Sequence, residues 1–285
     1  MAQSLPSGVG WTALLVARAR TNESRRADRL FEDPLAKAFV AAGGQALAEA
    51  EQALPGGRQE EVNRWREDSV ALRTRFLDGV VTSALMAGCR QVALVAAGLD
   101  TRAFRLDWPA GVRLFELDMA DVFEFKERVL QEHDAEARCE RHIVAADLRD
   151  AGWPDALRAA GFTPDQPAVW LVEGLLMYLA EEDRDGLMRK IAELAAPDSW
   201  LGLDHRPGFF AVPQLPGTSA GHLPPEKVDD PSLTNPAGWL AGHGWRAQVH
   251  QAAELFQAGN RPLPPSLQPA ASGAPLSWLA SAVRV

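Results

Sequence analysis

The chain has 285 residues, 47% hydrophobic and 24% charged, enough to bury a substantial core in one large domain or two small ones. A formal net charge of −9 argues against a general nucleic-acid or anionic-membrane binder, and no run of about 18 apolar residues exists to span a bilayer. Cys89 and Cys139 form neither a zinc motif nor a disulfide framework, and the first twenty residues carry no signal-peptide core, so a soluble cytoplasmic protein is expected.

Residues 1–10 read as a loose tail. From Trp11 to Ala19 the pattern turns helical, then comes a basic stretch from Arg18 to Arg26. Pro34 opens a helix over 34–53, closed by Leu54-Pro55-Gly56-Gly57. Residues 65–87 predict a long amphipathic helix with Val70, Leu77, Val80, Val81 and Ala84 on one face. Arg73 falls on that same face and Arg75 does not. A cation there needs an anionic partner, or must snorkel outwards.

Val92 to Ala96 is an uninterrupted apolar run ending near Gly98. It predicts a strand covered on both faces, followed by a turn where the backbone can approach a ligand. Strands over 112–118, 143–147, 168–173 and 199–204 then alternate with helices around 120–133, 153–160 and 182–195, as in a parallel sheet. Residues 206–236, rich in Pro and Gly, predict an irregular connection or lid. Residues 236–242 predict a helix, Trp245–His250 and Trp278–Val283 an antiparallel edge pair, and the Arg261-Pro262 region a loop. The expected fold class is α/β, a Rossmann-like, mostly parallel seven-stranded sheet in one domain. A helical cap would occupy 1–88, the cofactor-binding core 89–205, and the lid and edge strands 206–285.

Asp100, Asp118, Asp147, Glu173 and Asp204 each fall at or just past the carboxyl end of a predicted strand, so a parallel sheet brings them to one edge. Each could equally cap the helix that follows. Gly98 and Asp118 have the spacing of a glycine turn and a ribose-binding acid, common to nicotinamide, flavin and S-adenosylmethionine sites. Residues 96–101 read Ala-Ala-Gly-Leu-Asp-Thr, without the second glycine that a pyrophosphate wants. The sole tyrosine, Tyr178, has Glu182 four residues on, not the lysine of a Tyr-x-x-x-Lys pair. P-loop, GxSxG and HExxH motifs are absent, and no metal site is expected.

Asp33-Pro34, Arg73-Thr-Arg75-Phe-Leu-Asp78, Ala97-Gly-Leu-Asp-Thr-Arg102, Phe115-Glu-Leu-Asp118, Ala146-Asp-Leu-Arg149-Asp150 and Val172-Glu-Gly-Leu-Leu-Met-Tyr178 follow one another in the chain. Together they resemble the leucine carboxyl methyltransferase-like family of S-adenosylmethionine-dependent methyltransferases. That family includes bacterial small-molecule O-methyltransferases, polyketide carboxyl methyltransferases among them. The resemblance runs over residues 12–205 and more loosely through Trp239–Trp245 and Arg261-Pro262.

The resemblance implies a class I methyltransferase fold with S-adenosylmethionine as cofactor. Gly98 would admit its methionine portion, and Arg73 would pair with its carboxylate, assisted from the cap by Arg20. Asp118 would accept from the ribose hydroxyls, Asp147 would receive the adenine amine, Leu148 would pack on the ring, and Glu173 would lie near the amino group and sulfonium. Arg149, as a carboxylate clamp, and Tyr178 would hold the acceptor. His205 is either a base or a structural hydrogen-bonding group, and no catalytic residue is assigned. Ala96-Ala97-Gly98 departs from the Gly-x-Gly of many methyltransferases.

The expected function is S-adenosylmethionine-dependent O-methylation of a small-molecule carboxylate or hydroxyl. A carboxylate is already ionised at neutral pH, whereas a hydroxyl usually needs a general base. The alternatives are a catalytically silent binder of the cofactor or another nucleoside, and, further off, an NAD-linked oxidoreductase. No oligomeric state is assigned.

Overall fold

A computed structural model describes residues 10–53, 59–205, 230–263 and 277–285. The expectations for the tail, for the helix stop at 54–57 and for most of the 206–236 connection lie outside those residues.

Strand β1 (Gln91–Val95) is buried at all five positions, which is why its sequence shows no polar alternation. β4 (Ala168–Val172) beside it is buried in the same way. Around them lie β2 (Arg113–Asp118), β3 (Glu140–Ala145), β5 (Trp200–His205), β6 (Trp245–Gln251) and β7 (Trp278–Arg284). The order is β3-β2-β1-β4-β5-β7-β6, with the first five parallel and β7 antiparallel to both neighbours. This is the seven-stranded, mostly parallel sheet with an antiparallel edge expected from the sequence. Val95 is in register with Leu117 on one side and Val172 on the other, so residues 96–98 and 173 leave the sheet beside Asp118, the last residue of β2.

Alternation along β1 splits the core in two. Val92 and Leu94 face Leu77, Val81 and Ala84 of the long helix α3 (Gln59–Met86). Ala93 and Val95 face the other way, into a core shared with α6 (Trp153–Ala159) and α7 (Glu181–Leu194). α7 begins with Glu181, Glu182 and Asp183, acids that suit the positive end of its dipole. Helices α1 (Gly10–Ser24) and α2 (Ala36–Ala53) form the N-terminal cap, joined through Leu14, Ala17 and Phe39 to Phe125 and Val129 of α5 (Ala120–Glu132). No helix among the described residues is long and apolar enough to cross a membrane.

Three departures from expectation have local causes. β3 runs from Glu140 to Ala145, not from 143 to 147. It is an edge strand whose first residues are polar: Arg141 pairs with Glu116 and His142 stacks on Phe115. Its apolar content therefore begins late, and Asp147 lies two residues past its end. Residues 231–234, expected to be irregular, form a short helix α8 (Pro231–Thr234), capped by the Asp230 side chain accepting from the Ser232 N–H. Short helices α4 (Arg102–Arg105), after β1, and α10 (Ala252–Ala258), after β6, were also unforeseen, whereas α9 (Pro236–Gly242) was expected.

Candidate functional site

The turn after β1 is shaped by two left-handed residues, Ala96 (φ 58°) and Gly98 (φ 51°). Glycine adopts that conformation freely, and alanine does so against a steric penalty. The Ala97 N–H continues the ladder to the Leu117 carbonyl at 2.9 Å, and the Asp100 N–H closes the turn on the Ala97 carbonyl. Gly98 donates its N–H to Asp118 Oδ2 at 2.6 Å, and Met119 donates to Oδ1 at 2.7 Å. Burial raises the Asp118 pKa, and the two backbone donors oppose that shift. A Cβ added at Gly98 would stand 3.4 Å from Ala13 of α1, so the cap helix lies directly over the turn.

Beside this turn sits a buried cluster of arginines and acids. Glu173, the first residue after β4, receives Arg73 Nε on Oε1 at 2.9 Å, and Arg20 Nη2 stands 4.0 Å from the same oxygen. Arg102 Nη2 lies 2.8 Å from Oε2 as an ion pair, but Oε2 has no aligned hydrogen-bond donor. Burial alone would raise the Glu173 pKa. Arg102, Arg73 and Arg20 outweigh it and hold the group well below the usual carboxylate range.

Arg73 also donates through Nη1 to Asp204 Oδ2 at 3.3 Å, while Asp204 Oδ1 accepts from the Gly174 N–H at 2.6 Å. Gly174 has φ 66°, and a Cβ there would come within 3.1 Å of Arg73 Nη1. Arg73 is thus a cation on an apolar helix face with two protein carboxylates as partners, as burial demands. Its Nη2 has no partner among the described residues. Arg102 in turn pairs with Asp100 and Asp78, and Arg105 grips Asp78 with both terminal nitrogens at 2.7 and 2.8 Å.

The cap is tied into the same region. Arg20 donates to the Leu99 carbonyl at 3.1 Å. Asp33 accepts from the Ala36 N–H at the start of α2 and from Thr101 Oγ1 at 2.7 Å, which gives the Asp33-Pro34 motif a physical role. Tyr178, in the 3₁₀ turn Leu176–Tyr178, is hydrogen-bonded to Thr12 of α1; burial pushes its phenol pKa up.

Gly98, Asp118, Arg73, Glu173 and Tyr178 therefore gather around the strand ends. Asp147 follows Ala146, whose N–H donates to the Asp118 carbonyl at 2.9 Å, and it is paired with Arg149. Arg149 turns back on Asp147 through its backbone N–H, Nε and Nη2, the last at 2.5 Å, with its side chain 73% exposed. Leu148 is half-buried against the sheet core. Asp100 is engaged by the Arg102 side chain and by the Arg102 N–H at the start of α4.

His205 lies on the opposite face of β5 from Arg73. It is buried against Arg184 Nη1 at 2.6 Å, and Arg184 in turn pairs with Asp230. Burial first, and Arg184 second, push its pKa down to about 4. Sequence reasoning missed Asp78, Arg102, Asp33 as a latch, and Thr12. The first two stood inside quoted motifs as uncompensated charges next to apolar runs, which was the available signal.

Residues 13–192 match the family described as leucine carboxyl methyltransferase. A Streptomyces avermitilis protein, provisionally named an S-adenosyl-L-methionine-dependent methyltransferase, is 44% identical over 98% of this chain and 96% of its own length. A Streptomyces coelicolor protein with the same provisional name is 46% identical over 90% of each chain. Among solved structures, the magnesium protoporphyrin IX methyltransferase of Synechocystis PCC 6803 with bound SAM aligns with a TM-score of 0.45. It is 13% identical, and the alignment covers 85% of this chain and 93% of that one. Matched by that family over more than half its length, and by relatives this similar over nearly all of it, the chain belongs to the leucine carboxyl methyltransferase family.

Proposed function

We propose that the chain is an S-adenosylmethionine-dependent O-methyltransferase that esterifies a carboxylate on a small molecule. The observation that carries this reading is the meeting of Arg73, Glu173, Gly98 and Asp118 at the carboxyl ends of neighbouring parallel strands. An amino-acid moiety offers an ammonium to the Glu173 carboxylate and a carboxylate to the Arg73 guanidinium, whose Nη2 has no partner among the described residues. Beside them, Gly98 presents a turn with no Cβ, and Asp118 has acceptor capacity for a ribose diol.

When bound, S-adenosylmethionine supplies a methyl group on a cationic sulfur, open to in-line attack. The work left to the chain is alignment and exclusion of water, and orientation can lower a barrier by roughly 7–11 kcal/mol in favourable cases. Arg73 and Glu173 would fix the amino-acid end, Asp118 the ribose, and Asp147 with Leu148 the adenine. Tyr178, tethered to the cap through Thr12, would wall the acceptor side.

A carboxylate acceptor is favoured over a hydroxyl because His205, weighed in the sequence as either a base or a structural hydrogen-bonding group, is buried behind β5 against Arg184. A carboxylate needs no base. Calorimetry with S-adenosylmethionine and with S-adenosylhomocysteine tests the cofactor assignment. Release of S-adenosylhomocysteine with a panel of organic acids, and none with matched alcohols, tests the acceptor. Absence of cofactor binding to the wild type overturns the reading.

A further inference from the structure

Arg66 stands seven residues before Arg73 on α3, so the two share one helix face about 10.5 Å apart along the axis. Val70 between them is buried in a small cluster with Met177, against which Trp65 and Tyr178 pack. The acids that follow Arg66 are already committed. Glu67 accepts from Asn22 Nδ2 at 2.6 Å, and Asp68 accepts from Arg26 Nη1 at 3.2 Å and lies 3.5 Å from Arg261 Nε.

Arg66 itself makes no hydrogen bond or ion pair among the described residues, although it is half-buried and its Nε is sealed from solvent. Among the described residues, six other arginines carry a buried nitrogen without an aligned hydrogen bond: Arg20, Arg102, Arg105, Arg128, Arg184 and Arg261. Each of these has an acid on another nitrogen. Arg66 has none, in a chain with 38 acidic residues against 29 basic ones. Burial lowers its pKa, and no ion pair to a described residue offsets that.

A half-desolvated cation without a counter-charge is costly to hold, and a ligand anion relieves that cost. We propose that Arg66 is the anion-recognising residue of the acceptor site, binding a carboxylate of the methyl acceptor beside the wall formed by Val70, Met177 and Tyr178. The proposal rests on the methyltransferase reading above and assigns the acceptor contact to α3, not to Arg149.

The test uses matched probes: benzoate, phenylacetate and salicylate, each against its own primary amide. They are titrated into the S-adenosylhomocysteine-loaded protein and followed by ligand-observed NMR. The acids should bind the wild type about tenfold or more tightly than the amides. Arg66→Gln should erase that preference, and Arg66→Lys should keep part of it. Equal behaviour of acids and amides on the wild type, including binding by neither, overturns the proposal. So does an acid preference that survives in Arg66→Gln. Unchanged S-adenosylhomocysteine affinity in both variants shows that they are folded. If the wild type binds no S-adenosylhomocysteine, the methyltransferase reading fails by itself, and the same titrations on the ligand-free protein still judge Arg66.

Discussion

Replacing Glu173 by glutamine keeps the shape of the side chain and removes the one charge that three arginines share. Deleting one partner of a buried ion pair typically costs 3–5 kcal/mol, because the other charge is left uncompensated. Here each arginine retains a second acid: Asp204 for Arg73, Asp78 and Asp100 for Arg102, and Asp33 for Arg20. The expected loss is therefore below that range, about 2–3 kcal/mol at neutral pH.

The loss carries a pH signature. The folded-state pKa of Glu173 is depressed, so its contribution is fully present above the ordinary glutamate value of 4.5 and fades as pH falls through the folded value. Urea denaturation of wild type and Glu173→Gln at pH 7 should show the full gap, and the two curves should converge on acidification below pH 4.5. A variant as stable as wild type at pH 7, or a gap that stays constant down to pH 3, would refute the electrostatic account of the cluster.

Asp118→Ala should weaken S-adenosylhomocysteine about 30-fold, the loss of roughly 2 kcal/mol of charge-assisted hydrogen bonding to a diol, and calorimetry showing less than a threefold change would remove Asp118 from the site. Arg149→Ala should alter cofactor and acceptor affinity by less than about threefold, since an exposed ion pair contributes little; a tenfold loss of acceptor binding would return the acceptor contact to Arg149. His205 has a folded pKa lowered to about 4, so its contribution to stability is present above the ordinary 6.5 and lost as pH falls towards 4, a change of about 3 kcal/mol. His205→Asn should flatten that part of the stability profile, and a profile identical to wild type would show that another group titrates there.

What could be read from the sequence follows from how much of each element is covered. β1 and β4 announce themselves because both faces are buried, and their apolar runs end where the sheet ends. That placed Gly98, Asp118 and Glu173 at one edge without coordinates. Arg73 was legible because a cation on an apolar stripe demands an explanation. β3 was misplaced because an edge strand can begin with Glu140, Arg141 and His142, and its true end leaves Asp147 and Arg149 free to pair with each other. Arg66 went unremarked because α3 was expected to start at 65 and starts at Gln59, which moves Arg66 from a frayed end into the helix body. The partner list of an arginine is a three-dimensional fact: Asp78, Asp100 and Glu173 are scattered along the chain and meet at Arg102.

The hydrogen bond from Thr101 to Asp33 bears on modularity. Residues 1–88 look separable, a helical preface to a sheet that starts at Gln91. Yet the turn that follows β1 is held from outside the sheet, by Asp33 on Thr101 and by Arg20 on the Leu99 carbonyl. Chimeras that exchange this preface between relatives must carry residues 20, 33 and 101 as one inherited unit, since Arg20 needs only the main-chain carbonyl at 99. Grafted without them, the sheet would keep its strands and lose the posture of its first loop.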